Sequence, residues 1–159
     1  MNTRIVALVA VALLAACANK TPATTGASTG AGAAAATAGP APGSQEDLVA
    51  NVGDRVFFAF DKSNLSSDAQ ATLDRQSAWL QKYPNVQVLV AGNTDDRGTE
   101  EYNLALGQRR ANAAKDFLVA RGVNPARVKT ISYGKDRPVA LGDDEQAWAQ
   151  NRNATTSVE

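Results

Sequence analysis

The stretch Asn93-Thr94-Asp95-Asp96-Arg97-Gly98-Thr99-Glu100-Glu101-Tyr102 crowds carboxylates, a guanidinium and a glycine together just ahead of a helical segment that carries Arg109 and Arg110. Charges of both signs at this density serve either recognition of a ligand that bears both, or acid–base chemistry. With Leu106 as a core position, spacings of four and three place Tyr102, Leu106, Arg110, Ala113 or Ala114, and Phe117 on one helical face. Arg110 therefore points inward from an otherwise apolar stripe, whereas Arg109 lies roughly 100° around the helix and can be solvated. An inward guanidinium needs an acceptor. The residues alone leave two readings open: a structural salt bridge or snorkelling side chain, or a contact to a ligand carboxylate. Asp95 and Asp96 can serve as partners in either.

Acid–base catalysis is the weaker reading. Glycosidases hold two carboxyl groups about 5 to 10 Å apart across a sugar, and adjacent residues such as Asp95 and Asp96 diverge. Glu100 and Glu101 sit in a helical first turn, where the dipole favours negative charge. The chain has no histidine and a single cysteine, Cys17, so the commonest general base and metal ligand is missing. That argues against a zinc amidase and a cysteine peptidase. The expectation is a non-enzymatic protein with no catalytic residue, cofactor or metal.

Cys17 has a different chemistry. Leu14-Ala15-Ala16-Cys17 closes an apolar run over residues 5–14 that follows one basic residue, Arg4. A basic start, a short apolar run and small residues at a cleavage point make a secretory signal, and the cysteine makes it resemble a bacterial lipoprotein signal. The run is far short of the ~20 residues a spanning helix needs. The resemblance implies removal of residues 1–16, lipidation of Cys17 and, with Ala18 rather than aspartate next, sorting to the outer membrane. Two or three acyl chains anchor stably where one is marginal. Residues 17–44, rich in Ala, Thr, Gly, Pro and Ser, offer too little apolar surface to order themselves and read as a disordered tether reaching about 25–30 Å.

Residues 45–159 suffice for one modest core. They hold 14 of the 16 basic and all 16 acidic residues, interspersed, so no basic stripe suggests nucleic acid. The apolar aromatic run at 55–60 predicts a strand buried on both faces. Ser66 or Ser67 caps a helix to about 83, with Ala71, Leu73, Ala78, Trp79 and Leu80 inward. Residues 86–90 form the next strand. Thr99 caps a long helix ending at Gly122. Residues 128–132 are a strand, 143–150 a short helix, and 154–158 a weak last strand. The order β-α-β-α-β-α-β gives an α+β sandwich, helices on a mixed four-stranded sheet.

Residues 93–111 resemble the OmpA-like peptidoglycan-binding signature, T-D-x-x-G-x-x-x-x-N followed by L and R-A. Phe58-Ala59-Phe60-Asp61, Ile131-Ser132-Tyr133-Gly134 and Asn151-Arg152 agree with flanking parts of that family. The resemblance implies noncovalent capture of peptidoglycan through meso-diaminopimelate of the stem peptide. By position, Asp95 meets the ligand's ammonium and Arg110 its carboxylate, arginine suiting a planar carboxylate through two parallel bonds. Thr94 and Asn103 fall at the motif threonine and asparagine, and Phe60 and Asp61 at the pocket mouth. Backbone amides of the loop at 95–99 add donors.

Three departures stand out: Asn93 where many members carry histidine, Asn153 where the family repeats arginine, and a polar end, Thr155-Thr156-Ser157-Val158-Glu159. They put rim contacts and the order of the last strand in question. With the lipid signal, the resemblance extends to the lipid-anchored members of the Tol system. It implies a periplasm-facing domain on the outer membrane, a role in envelope integrity and constriction at cell division, and the periplasmic β-propeller protein TolB as partner. The alternative is a structural lipoprotein without wall affinity.

Overall fold

The computed structural model describes residues 39–159. The signal segment 1–16, Cys17 and the tether up to residue 38 lie outside the described residues. No helix among the described residues is long and apolar enough to cross a membrane.

The first element is one the sequence did not suggest. Helix α1, Gln45–Asn51, is capped by Ser44, whose side chain accepts from Asp47 N. Seven residues are too few to show a periodicity, and Leu48, 1% exposed, alone fixes it to the core. Asp47 accepts from Gly43 N at 2.8 Å, Asn51 Nδ2 at 2.7 Å and Trp79 Nε1 at 2.9 Å. The Gly43 amide first, then Trp79 and Asn51, pull its carboxyl down to about 2.

Strand β1 is Arg55–Phe57 only, not 55–60. Phe58 N donates to Arg152 O as the chain leaves the strand, and Asp61 sits at φ 56. β1 is an edge strand: Val56 and Phe58 are buried, whereas Phe57 and Phe60 are half-exposed. The aromatic run thus serves two surfaces rather than one interior. Helix α2, Ser67–Lys82, is capped by Ser66. It buries Ala69, Leu73, Gln76, Ser77, Trp79 and Leu80, while Ala71 and Ala78 face solvent. Gln76 is tolerated inside because Nε2 donates to Gly53 O at 2.7 Å and Oε1 accepts from Thr156 Oγ1 at 2.9 Å.

Strand β2 runs Val88–Asn93, beginning two residues later and continuing three further than expected. Helix α3, Glu100–Ala120, is capped by Thr99, whose hydroxyl accepts from Tyr102 N. A 3-10 turn at Pro125–Arg127 leads into β3, Val128–Gly134. Helix α4, Glu145–Asn151, is capped by Asp144, and β4 is Asn153–Val158.

The sheet order is β1-β4-β2-β3, with β2 and β3 parallel and β4 antiparallel to both neighbours. The polar terminal strand is therefore a central one. Its polar groups are satisfied: Thr156 by Gln76, Thr155 by Arg55 Nε at 3.1 Å, and Ser157 by Leu89 O at 3.3 Å. β-branched threonine suits a pleated surface. Helix α2 lies against β1 and α3, and α3 crosses β2 and β3, around one core centred on Leu73, Leu80, Val88, Val90, Leu118 and Val128. The crossing is tight. A Cβ on Gly92 would lie 1.8 Å from Gly107 O, and one on Gly107 would lie 2.8 Å from Gly92 O. Two glycines let the helix backbone touch the strand backbone, and this seats the ends of β2 and α3 beside each other.

Candidate functional site

Where β2 ends and α3 begins, a cleft of about 240 Å³ opens. Five of the residues singled out in the sequence line it: Phe60, Asp61, Asp95, Asn103 and Arg110, joined by Arg97, Gly98, Tyr102 and Leu106. Thr94 does not. It is 2% exposed, donates from Oγ1 to Asp95 O at 2.9 Å, and borders a neighbouring hollow with Asp96 and Lys135.

Arg110 is 0% exposed. Its acceptors are backbone carbonyls rather than a carboxylate: Nε donates to Lys62 O at 2.8 Å, Nη1 to Asn93 O at 2.8 Å and Nη2 to Ala59 O at 3.2 Å. Burial pushes its pKa down to about 10, against the pull of Asp95, and it stays charged at neutral pH. A guanidinium has five N–H donors, so two remain, one on each terminal nitrogen. Arg110 thus ties the segment after β1 to the end of β2 and keeps donors in reserve at the wall of the cleft.

Asp95, 4% exposed, makes no ion pair with Arg110. Its Oδ2 accepts from Arg97 Nη2 at 2.6 Å and Arg152 Nη1 at 3.4 Å. Arg152 is held further by Phe58 O at 3.1 Å and Glu145 Oε1 at 2.5 Å. Arg97 was not singled out in the sequence. Its guanidinium lies between two rings, 3.9 Å from the Phe60 centroid and 4.0 Å from that of Trp148. The hydrogen bond to Asp95 raises its pKa further. Its Nε, like Trp148 Nε1, is buried without a partner. Only its position in the charged loop hinted at this, because Trp148 comes from α4 and no local spacing links the two.

Asn103, 1% exposed, donates from Nδ2 to Arg97 O at 2.9 Å and so fixes the loop from the first turn of α3. At the mouth, Tyr102 OH donates to Asp61 Oδ1, which raises the tyrosine's pKa. Asp61 keeps the left-handed backbone at φ 56, a conformation aspartate adopts more readily than most residues. The arrangement offers fixed charges of both signs within one concave surface, with two carboxylates and two guanidinium groups in its lining. Among the described residues no cluster of three His, Cys, Asp or Glu side chains is arranged to hold a metal ion.

The departures Asn93 and Asn153 are not rim residues. Both are buried, and Asn93 Nδ2 donates to Asn153 Oδ1 at 2.8 Å. The two substitutions meet each other behind the cleft as one neutral, satisfied pair.

Comparison with known proteins follows the same lines. Residues 57–152 match the OmpA family. A peptidoglycan-associated lipoprotein of Mesorhizobium japonicum is 52% identical over 158 residues, covering 99% of this chain and 92% of that one. One of Rhizobium meliloti is 54% identical over 156 residues, covering 98% and 86%. Among solved structures, the peptidoglycan-associated lipoprotein from Burkholderia pseudomallei is 45% identical, covers 67% of this chain and 90% of its own, and superposes with a TM-score of 0.65. The C-terminal domain of Helicobacter pylori MotB gives 26% identity, 67% and 84% coverage, and a TM-score of 0.63.

Proposed function

The chain belongs to the OmpA family and groups within it with the peptidoglycan-associated lipoproteins, and from that premise we propose that it binds peptidoglycan noncovalently through the meso-diaminopimelate residue of the stem peptide. The observation that carries this reading is the cleft, in which Asp61, Asp95, Arg97 and Arg110 stand together around a small volume. The free end of diaminopimelate carries an ammonium and a carboxylate on one carbon. Its recognition needs a fixed anion and a fixed cation a few ångströms apart. Asp95, with Asp61 at the mouth, answers the ammonium. The carboxylate meets the remaining N–H groups of Arg110 and the amides of the 95–99 loop. Nothing in this chemistry transforms the ligand, and the relatives are named for association with the wall rather than for catalysis.

In this reading Cys17 carries the lipid, the tether spans from the outer membrane to the wall, and the domain faces the periplasm. TolB is the partner, and the protein serves envelope integrity and outer-membrane constriction at division. Co-sedimentation with purified sacculi, followed by calorimetric titration with diaminopimelate- and lysine-containing stem peptides, tests the proposal. The expected result is retention on sacculi and binding of the diaminopimelate peptide alone, because lysine lacks the second carboxylate. Equal affinity for the two peptides overturns it. No binding of either leaves the structural lipoprotein, a role the three carbonyl contacts of Arg110 already suit.

A further inference from the structure

Asp95 is assigned to a ligand ammonium, yet in the free protein its carboxylate is already in use. Oδ2 takes hydrogen bonds from two guanidinium groups, and the side chain is 5% exposed. A third cation brought to the same carboxylate would face two like charges at close range, a repulsion of a few kcal/mol at the effective dielectric of a partly buried site. One of the residents has to yield.

The two are not equally fixed. Arg152, 7% exposed at its side chain, is held by Phe58 O and Glu145 as well as by Asp95. Arg97, 32% exposed, lines the cleft and has Asp95 as its single side-chain acceptor. Its seat between Phe60 and Trp148 leaves two buried donors unsatisfied, its own Nε and Trp148 Nε1. An unsatisfied buried donor is costly and offsets part of what the two ring faces and the Asp95 contact contribute, so Arg97 is the more easily displaced of the two residents.

We infer that Arg97 is an internal competitor for the wall ligand: it occupies Asp95 in the free protein in place of the ligand's ammonium and leaves as the ligand enters. The exchange is one cation for one cation, so the charge around Asp95 is conserved while the ligand's carboxylate is gained. This inference rests on the proposed binding of diaminopimelate. Arg97 then sets affinity by the fraction of molecules in which Asp95 is free, and it excludes ligands whose ammonium comes without a carboxylate to offset the exchange. The device keeps two cations on Asp95 both before and after the ligand enters.

Arg97→Gln in the full-length protein removes the competitor and keeps its bulk. Trp148→Leu, at a residue outside the cleft lining, loosens the seat and keeps the charge. Both should bind the diaminopimelate stem peptide about two- to fivefold more tightly than the unaltered protein, the range corresponding to a partly exposed ion pair that no longer competes. In the unaltered protein the Arg97 side-chain Nε–Hε signal should move to a solvent-exposed position at ligand saturation. Tighter binding by the variants together with that movement supports the inference. Weaker or unchanged binding by a folded Arg97→Gln or Trp148→Leu variant, or an Arg97 signal that stays in place at saturation, overturns it while wall binding stands. Failure of the unaltered protein to bind the peptide is the separate failure of the binding proposal, and removes the inference with it. The signal in the unaltered protein decides the matter even where a variant does not fold.

Discussion

Replacing Arg110 with methionine keeps most of the side-chain volume and removes three hydrogen bonds, those to Ala59 O, Lys62 O and Asn93 O. Ala59 and Lys62 are exposed residues, so water can replace the arginine there. Asn93 is 6% exposed, and its carbonyl loses the buried Nη1 donor. A buried polar group left unsatisfied costs about 1–3 kcal/mol, and the two outer bonds contribute less. The relief of burying a charge works the other way, so the net loss is about 2–4 kcal/mol. At roughly 4 °C per kcal/mol for a domain of this size, the melting temperature should fall by about 8–16 °C. Circular dichroism melts at neutral pH read this directly. Stem-peptide titration at low temperature, where the variant stays folded, should show a further, separate loss of about 2–5 kcal/mol in binding. A melting temperature within about 3 °C of the unaltered protein would refute the assignment of Arg110 to the segment after β1. A large fall in stability with full affinity in the folded fraction would refute its contact with the ligand.

Gly107→Ala places a methyl 2.8 Å from Gly92 O and 2.3 Å from Ser132 Oγ. Urea unfolding should show a loss of about 1–3 kcal/mol from overpacking, and Ser132→Ala should restore only part of it, because the strand carbonyl remains. Asp47 has a folded pKa of about 2 against an ordinary 3.8. Its contribution to stability is thus present above pH 3.8 and lost as pH falls towards 2. The stability gap between the unaltered protein and Asp47→Asn, followed by chemical denaturation from pH 6 to pH 2, should be flat above about 5 and close below 3. A gap that widens with acid contradicts the assigned bonds. Cys17→Ser should shift the protein from the membrane fraction to the soluble one, and an unaltered distribution rules out lipidation at that residue.

The helix caps Ser66 and Thr99 mark real helix starts because an N-cap is a local device, visible within four residues. The stripe that put Arg110 inside was legible for the same reason. What the sequence hid is non-local. A run of three aromatics and valine reads as interior whichever strand stands beside it, and only the sheet order makes Phe57 an edge residue and sends Phe60 to the cleft. The polar last strand looked weak because its satisfying partners, Gln76 and Arg55, lie far back in the chain. Arg97 escaped notice because its seat is assembled from Phe60 and Trp148, each from a different element. Arg110 was legible as inward, but the three carbonyls that hold it were not, since backbone carbonyls leave no trace in residue types.

The place of β4 also orders events in time. β1 has no partner except β4, a pairing that joins Arg55 to Thr155 across 100 residues, and β2 lacks one neighbour until β4 arrives. The sheet cannot close before the last six residues of the strand are free to enter it. A chain emerging from a ribosome therefore leaves its sheet open until residues 153–158 have cleared. Closure over so long a separation is slow by nature. The same wiring that puts a polar strand in the middle of the sheet makes closure wait for the most distant pairing in the fold.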